Sequence, residues 1–364
     1  MKMVLVLEDG TLFEGDAFGA EGAVCGWVHN DYGVVGYQET LTDPDNRGAL
    51  INMTYPLIGN YGVNSEDGES DRAQAAALLV KERSLTVSNW RAGGSLDEWM
   101  KGRGVVGMEG VDTRTLALHL RERGEMRGVI APAGSSVQEL LKKIRAYVIP
   151  KALELIGEAV SAGGKAETFA DDGRYRVAVC DLGVRKSCLA QLETANCQVI
   201  RTPAATRWEE ISILRPEGLL IAGGPGDPRE LTDLIVQIRK ALGKLPIAGV
   251  GMGCQLLALA GGGRIGTMKT GHHGVNYPVR ETASGRDAIT SQNHRFVIEA
   301  DSLAGSDFSV SHVNLNDGSV EGVIAEKCEA AGVQFVPVCD DDGAPGALFK
   351  EFVGRMERRR NAGA

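Results

Sequence analysis

From Arg176 to Ala260 the chain alternates short apolar runs with amphipathic stretches, and this rhythm constrains the fold more than any other feature. Arg176-Val177-Ala178-Val179-Cys180 reads as a strand, Ser187 to Thr194 as a helix and Gln198-Val199-Ile200 as a strand. Gly218-Leu219-Leu220-Ile221-Ala222 reads as a strand running into Gly223-Gly224-Pro225-Gly226-Asp227-Pro228. Leu231 to Leu242 follows as a helix, Pro246-Ile247-Ala248 as a strand, and a further helix covers Gln255 to Ala260. Helical crossovers between apolar strands give a parallel sheet covered on both faces. Sites in such sheets form beyond the carboxyl ends of the strands. Both glycine-rich turns, 223–228 and 249–253, fall there.

The earlier part of the chain mixes short strands with helices. Val4 to Leu7 and Val105 to Met108 read as strands. Asp112 can cap a helix carrying Leu116, Leu118 and Leu120 and ending near Gly124, and Leu140 to Ala146 suits another. With 364 residues, two domains are expected. The small, polar, glycine-bearing stretch from Ser161-Ala162-Gly163-Gly164-Lys165 to Asp171-Asp172-Gly173 marks the boundary. The expected organisation is a first domain over 1–150, a linker over 151–174 and a second domain over 175–364.

Composition narrows the classes of function. A net charge of −9 argues against a nucleic-acid or acidic-membrane partner. The basic run Arg358-Arg359-Arg360 lies at the C-terminal end and reads as a solvated helix end. The start, Met1 to Leu7, meets Glu8-Asp9-Gly10 and reads as a first strand with its turn rather than a signal peptide. No apolar stretch approaches the roughly 18 residues of a membrane helix. Seven scattered cysteines, none in CxxC spacing, suggest a reducing cytoplasm and no structural zinc. His272, His273 and His294 do not have the spacing of a metal site, and no cofactor is expected.

Gly249-Val250-Gly251-Met252-Gly253-Cys254-Gln255 joins a strand to a helix but fails the dinucleotide fingerprint, because Cys254 stands where the third glycine belongs. Sharp strand-to-helix turns of this kind also present nucleophiles. The apex here, Gly251, has no side chain. Such a turn still leaves N–H groups at a helix N-terminus, where an anion or oxyanion could bind; a tight turn and nothing more is equally compatible.

Along nearly its whole length the sequence resembles the carbamoyl-phosphate synthetase small-subunit family. The first part carries Leu7-Glu8-Asp9-Gly10-Thr11, Gly36-Tyr37-Gln38-Glu39, Leu41-Thr42-Asp43-Pro44, Thr54-Tyr55-Pro56-Leu57-Ile58-Gly59-Asn60 and Asp112-Thr113-Arg114. The second carries Gly224-Pro225-Gly226-Asp227-Pro228, the run from Met268 to Val279, and Gln292-Asn293-His294. The resemblance implies an α/β protein: an N-terminal β/α small-subunit domain, then a flavodoxin-like class I glutamine amidotransferase domain with a mainly parallel sheet. It also implies a large synthetase subunit as partner.

What the resemblance implies for catalysis is a loss. The family uses a cysteine nucleophile, a histidine base and a glutamate that orients it. Gly251 occupies the nucleophile position, and in Gln334-Phe335-Val336-Pro337-Val338 the base and acid positions are Val336 and Val338. In the glutamine pocket, Gly224, Gly226, Gln255, Asn293 and Phe296 keep family identities beside Met252. Arg47 replaces a serine and Arg295 a glycine. These cations could fill the pocket, bind an anionic small molecule, or pair with acids such as Asp340 to Asp342. Cys254, on the first turn of the helix, reads as a packed small residue, with a relocated nucleophile as the alternative, and Cys339 is read the same way. The expected function is a small subunit without glutaminase chemistry that supports or regulates an ammonia-using large subunit. The alternatives are a module sensing an anionic metabolite and an amidotransferase with a relocated cysteine.

Overall fold

The computed structural model describes residues 1–160, 167–169 and 173–363. The chain forms two compact units, one of Met1–Pro150 with Lys269–Gly274, the other of Lys151–Met268 with Val275–Ala364.

The strands of the first unit are β1 (Lys2–Leu7), β2 (Leu12–Gly19), β3 (Val24–Asp31), β4 (Leu50–Met53), β5 (Leu57–Ile58), β6 (Ala77–Leu79), β7 (Glu82–Arg83), β8 (Val106–Glu109) and β9 (Met126–Pro132). Seven of them close into a barrel in the order β1-β2-β8-β6-β4-β3-β9, with β9 returning to pair with β1. The apolar run that opens the chain is explained by burial on both faces. Met3, Leu5 and Leu7 point into the barrel with Val28, Leu50, Leu79, Met108 and Ile130. Val4 and Val6 point out, under Leu140 and Ile144. Its helices are α1 (Tyr37–Thr42), α2 (Leu96–Arg103), α3 (Thr113–Arg123) and α4 (Val137–Ala146), the last carrying that covering pair. Asp112 caps α3, accepting from Thr115 N at 3.0 Å, and Gly124 ends it at a φ of +98°.

A cluster of buried titratable groups lies against the barrel. Glu125 follows α3; its Oε1 lies 3.1 Å from His273 Nε2 and accepts from Gly271 N at 2.7 Å. Its Oε2 accepts from Trp27 Nε1 at 3.1 Å. Burial alone would raise the Glu125 carboxyl, but His273 beside it, with His29 and the Gly271 N–H, outweighs that and brings it down to about 2. The ring of His29, on β3, stacks on His273 with centroids 4.1 Å apart. Burial, with His273 as a like charge, lowers His29 to about 4.

The unfolded chain therefore takes up a proton at His29 near pH 6.5, while the folded protein resists until about pH 4. The stability tied to this group is complete above pH 6.5 and is lost as pH falls from there towards 4, on the order of 3 kcal/mol in all. Thermal unfolding between pH 7.5 and 4.5 should show a steep acid decline in the wild type and a shallower one in His29→Gln. Parallel declines in the two proteins would refute the assignment.

In the second unit the strands are β10 (Glu167–Phe169), β11 (Tyr175–Asp181), β12 (Cys197–Pro203), β13 (Gly218–Ala222), β14 (Ile247–Val250), β15 (Ile265–Glu281), β16 (Asp287–Ile298), β17 (Ser309–Asn314), β18 (Val320–Ala325) and β19 (Ala330–Val333). The centre of this sheet is parallel in the order β12-β11-β13-β14-β19, the 2-1-3-4-5 order of flavodoxin-like folds. β10 adds antiparallel at one edge, and β18-β16-β15-β17 extend the other, so the whole sheet is mixed. The helices are α5 (Ala152–Ala159), α6 (Lys186–Thr194), α7 (Trp208–Ile213), α8 (Thr232–Ala241), α9 (Met252–Ala260) and α10 (Ala347–Gly363). Alternation along the strands sorts the two faces. Leu219 and Ile221 face the side of α8 and α9, with Leu234, Ile238 and Leu256. Leu220 and Ala222 face α6 and α10, with Leu192, Phe349 and Phe352.

The linker expected over 151–174 needs correction. Its first part is α5, whose Ala152, Leu155, Ile156 and Ala159 are buried and belong to the second unit. These positions recur at helical spacing, and the apolar stripe they make is anchored where Ala152 N donates to Glu230 Oε2 at 2.8 Å. The glycine-bearing stretch used to place the boundary, 161–166 with 170–172, lies outside the described residues. No helix among the described residues is long and apolar enough to cross a membrane.

Candidate functional site

The site is built on the turn from β14 into α9. Gly251 sits at its apex with φ 60° and ψ −121°, a conformation that L-residues resist. Its N–H donates to Val333 O on β19 at 2.9 Å, and its carbonyl accepts from Cys254 N at 3.1 Å to begin α9. The glycines on either side are enforced by space. A Cβ on Gly253 would lie 1.9 Å from Ile221 O, and one on Gly249 would lie 2.7 Å from Leu257 Cδ1 and 2.8 Å from Gly253 C. The missing Cβ atoms let α9 lie directly on β13.

The loop after β13 has the same character. A Cβ on Gly223 would meet Gly183 O at 2.0 Å, one on Gly224 would meet Met252 Sδ at 2.7 Å, and one on Gly226 would meet Ala152 Cα at 2.7 Å. Gly224 and Met252 are thus neighbours, whereas Gly226 is pinned against the start of α5. Gln255 is buried, and its Nε2 donates to Phe296 O at 3.1 Å and Gln334 Oε1 at 2.9 Å. Phe296 is buried under two guanidiniums, Arg295 at 4.8 Å from the ring centroid and Arg229 at 5.4 Å. Asn293 and Arg295 lie on the half-buried face of β16, while Gln292, His294 and Phe296 alternate into the core.

The structure thus brings together Gly224 with Met252, and Gln255 with Phe296 and Arg295. Arg47 belongs to the first unit, half-buried at the end of the turn Pro44–Asn46. The Asp340 carboxylate, considered as a partner for the arginines, is paired with Lys350 instead. Val336 is half-buried with its N–H on Ser291 O at 2.8 Å, and Val338 is 64% exposed. Neither side chain can carry a proton.

Cys254 is packed as a small core residue. It is fully buried, against Gly332 on β19, where an added Cβ would lie 3.0 Å from Cys254 Cα. Burial pushes its thiol well above the ordinary range, so the helix N-terminus does not make it a thiolate. Cys339 is exposed, beyond the end of β19.

Sequence reasoning missed two participants. Arg229 holds Asp227 through Nε at 2.8 Å while lying on Phe296. Glu321, completely buried on β18, lies 3.3 Å from His294 Nε2 and accepts from Asn314 Nδ2 at 3.1 Å. An acid inside the otherwise apolar run Val320 to Ala325 was the signal available for the second.

Comparison with known proteins agrees with this geometry. A model described as carbamoyl-phosphate synthase small chain, CPSase domain, matches residues 5–130, and one for class I glutamine amidotransferases matches residues 178–339. The carbamoyl phosphate synthase small chain of Listeria monocytogenes serotype 4b is 41% identical over 360 residues, spanning 98% of this chain and 97% of that one. This chain belongs to the carbamoyl-phosphate synthase small-chain family. The small chain of Syntrophotalea carbinolica is 38% identical with both chains spanned completely, and that of Bacillus caldolyticus is 38% identical over 100% of this chain and 99% of its own. The class I glutamine amidotransferase match covers the parallel centre of the second unit, with the β14–α9 turn inside it.

Proposed function

We propose that this chain is a small subunit of carbamoyl-phosphate synthase that does not hydrolyse glutamine and that supports or regulates a large subunit using free ammonia. The observation that carries this reading is Gly251: the backbone has the shape of an elbow, and its apex has no side chain. Val336 and Val338 remove the base and its orienting acid, so three roles are lost together. What remains is the scaffold. The barrel, the doubly wound sheet and the tight glycine turns are all built, as expected if association was kept while chemistry was dropped.

The second reading, a module for an anionic metabolite, rests on Arg47 and Arg295. Arg295 already lies over Phe296, and the neighbouring Arg229 is neutralised by Asp227. The relocated-cysteine reading loses its nucleophile to burial at Cys254.

The test is carbamoyl phosphate synthesis by the complex with a large chain from the same cell. Synthesis should proceed from ammonia, be absent with glutamine alone, and be insensitive to a glutamine-site affinity label. Glutamine-dependent synthesis at a rate similar to the ammonia-dependent one would remove the proposal.

A further inference from the structure

Trp90 is the most exposed large apolar side chain among the described residues, at 92%. It does not hang from a slack loop. Its turn, in the connection from β7 to α2, is closed by Arg91 N donating to Asn89 Oδ1 at 2.8 Å and by Ala92 N donating to Asn89 O at 3.1 Å. The neighbouring loop holds the turn in place. Ser88 N donates to Asn60 O at 2.8 Å, Gly93 N to Val63 O at 2.7 Å, and Val63 N to Gly94 O at 3.1 Å. Arg91 Nη2 bridges the carboxylates of Glu66, at 2.8 Å, and Asp67, at 2.7 Å. Beside the tip is a cavity of about 530 Å³ whose lining includes Val63, Glu66, Trp90, Trp99 and Arg103. The Arg103 guanidinium lies over the Trp99 ring, 4.5 Å from its centroid, and has no ion pair among the described residues. All these residues lie in the first unit.

We propose that the Trp90 tip and this cavity form a docking site for the large chain of the synthase, which sets apolar side chains against Trp90 and Trp99 and a carboxylate on Arg103. The proposal rests on the reading of this chain as a small subunit that works with a large one. An indole standing in water forgoes hydrophobic stabilisation that a partner would supply. The tip is already rigid, so little conformational entropy is lost when a partner closes over it. Tryptophan and arginine around a depression are the composition in which interface energy concentrates. Charge decides the kind of occupant. Glu66 and Asp67 are committed to Arg91, so the charge left unmatched at the cavity is the Arg103 cation. A second copy of this chain meeting the same patch would bring another Arg103 and no uncommitted carboxylate with it. The net charge of −9 disfavours a nucleic acid. An acidic segment of the large chain with apolar neighbours satisfies both the cation and the indoles.

Binding of this chain to a large chain from the same cell, followed by biolayer interferometry, tests it. Trp90→Ala and Arg103→Glu should each weaken binding about thirtyfold or more, whereas Leu118→Ala, at an exposed position on α3, should change it less than about threefold. Added salt should weaken wild-type binding, and weaken it less after Arg103→Ala. Thermal unfolding of Trp90→Ala should match the wild type, which separates a lost contact from a lost fold. Wild-type binding by both variants would overturn the site and leave the small-subunit reading standing. No binding of the wild-type chain to the large chain would overturn both. A homodimer of this chain alone, dissolved by Trp90→Ala, would give the patch to a second copy and overturn the proposal as well.

Discussion

Incubated with glutamine, alone or with a large subunit, the wild-type protein is expected to release glutamate no faster than background. Loss of a complete nucleophile–base unit lowers turnover by about six orders of magnitude, leaving whatever binding and oxyanion stabilisation remain. On the proposed reading the three positions are Gly251, Val336 and Val338, which offer no thiol, imidazole or carboxylate, so no acyl-enzyme oxyanion would form. Gly251→Cys alone should not restore turnover. A thiol at its ordinary pKa is only a few per cent thiolate at neutral pH, and Val336 offers no base to correct that. The backbone at φ 60° and ψ −121° adds strain of order 1–3 kcal/mol for any residue with a Cβ. Adding Val336→His and Val338→Glu should help only once Arg295, which lies over Phe296, is also made small. Glutamate release at an ordinary enzymatic rate, abolished by Cys254→Ala, would defeat this reading.

The second large effect is expected at Gly253. By helix propensity alone Gly253→Ala should stabilise α9 by about 1 kcal/mol. The structure reverses the sign, because the new Cβ would lie 1.9 Å from Ile221 O and 2.6 Å from its carbonyl carbon. Those atoms belong to β13, which pairs with β11 on one side and β14 on the other, so they cannot retreat without breaking the sheet. A loss of about 4 kcal/mol is expected, above the usual 1–3 for overpacking, with Tm lower by roughly 10 °C. Gly157→Ala in α5 is the control, since nothing lies within 4 Å of its added Cβ and a small gain is expected there. Differential scanning calorimetry on both variants is sufficient. A Gly253→Ala protein as stable as wild type would mean that α9 does not lie on β13 as described.

The two predictions also mark what could be read from residues alone. Most of the parallel centre of the second unit was legible because β11, β13 and β14 are largely apolar and buried on both faces, as in Gly218–Ala222, whereas the strand Ala330–Val333 was not read. The antiparallel extension was not, because β15 and β16 are rich in Thr, His, Asn and Arg and interleave them with buried positions. Barrel closure joins β9 to β1 across more than a hundred residues of sequence, and no local pattern reports such pairing. The helix α5 was hidden by the glycines that follow it, although Ala152, Leu155, Ile156 and Ala159 form a stripe at helical spacing. At the site, the turn around Gly251 was legible because its glycines answer to steric demands that any such turn makes. Arg229 lies on Phe296, distant in sequence, and was legible only in three dimensions, whereas Glu321 had its signal in an apolar run although its neighbour His294 could not be read from it. For Cys254 the residues alone left a packed position and an alternative nucleophile both open, because the strand that covers the helix N-terminus is not legible in sequence.

The apex geometry has a consequence for the history of such a chain. A side chain at this position would be held in a conformation it disfavours, and on the proposed reading only selection for catalysis would keep one there. Once that selection lapses, glycine is the substitution that relaxes the backbone without moving it, so the turn can survive the loss of its purpose unchanged. The return journey is steeper than the outward one. A new side chain would bring back the strain at once, while any benefit would wait for two further replacements at Val336 and Val338. A lineage that has taken this step is therefore expected to drift at the other pocket positions rather than to revert.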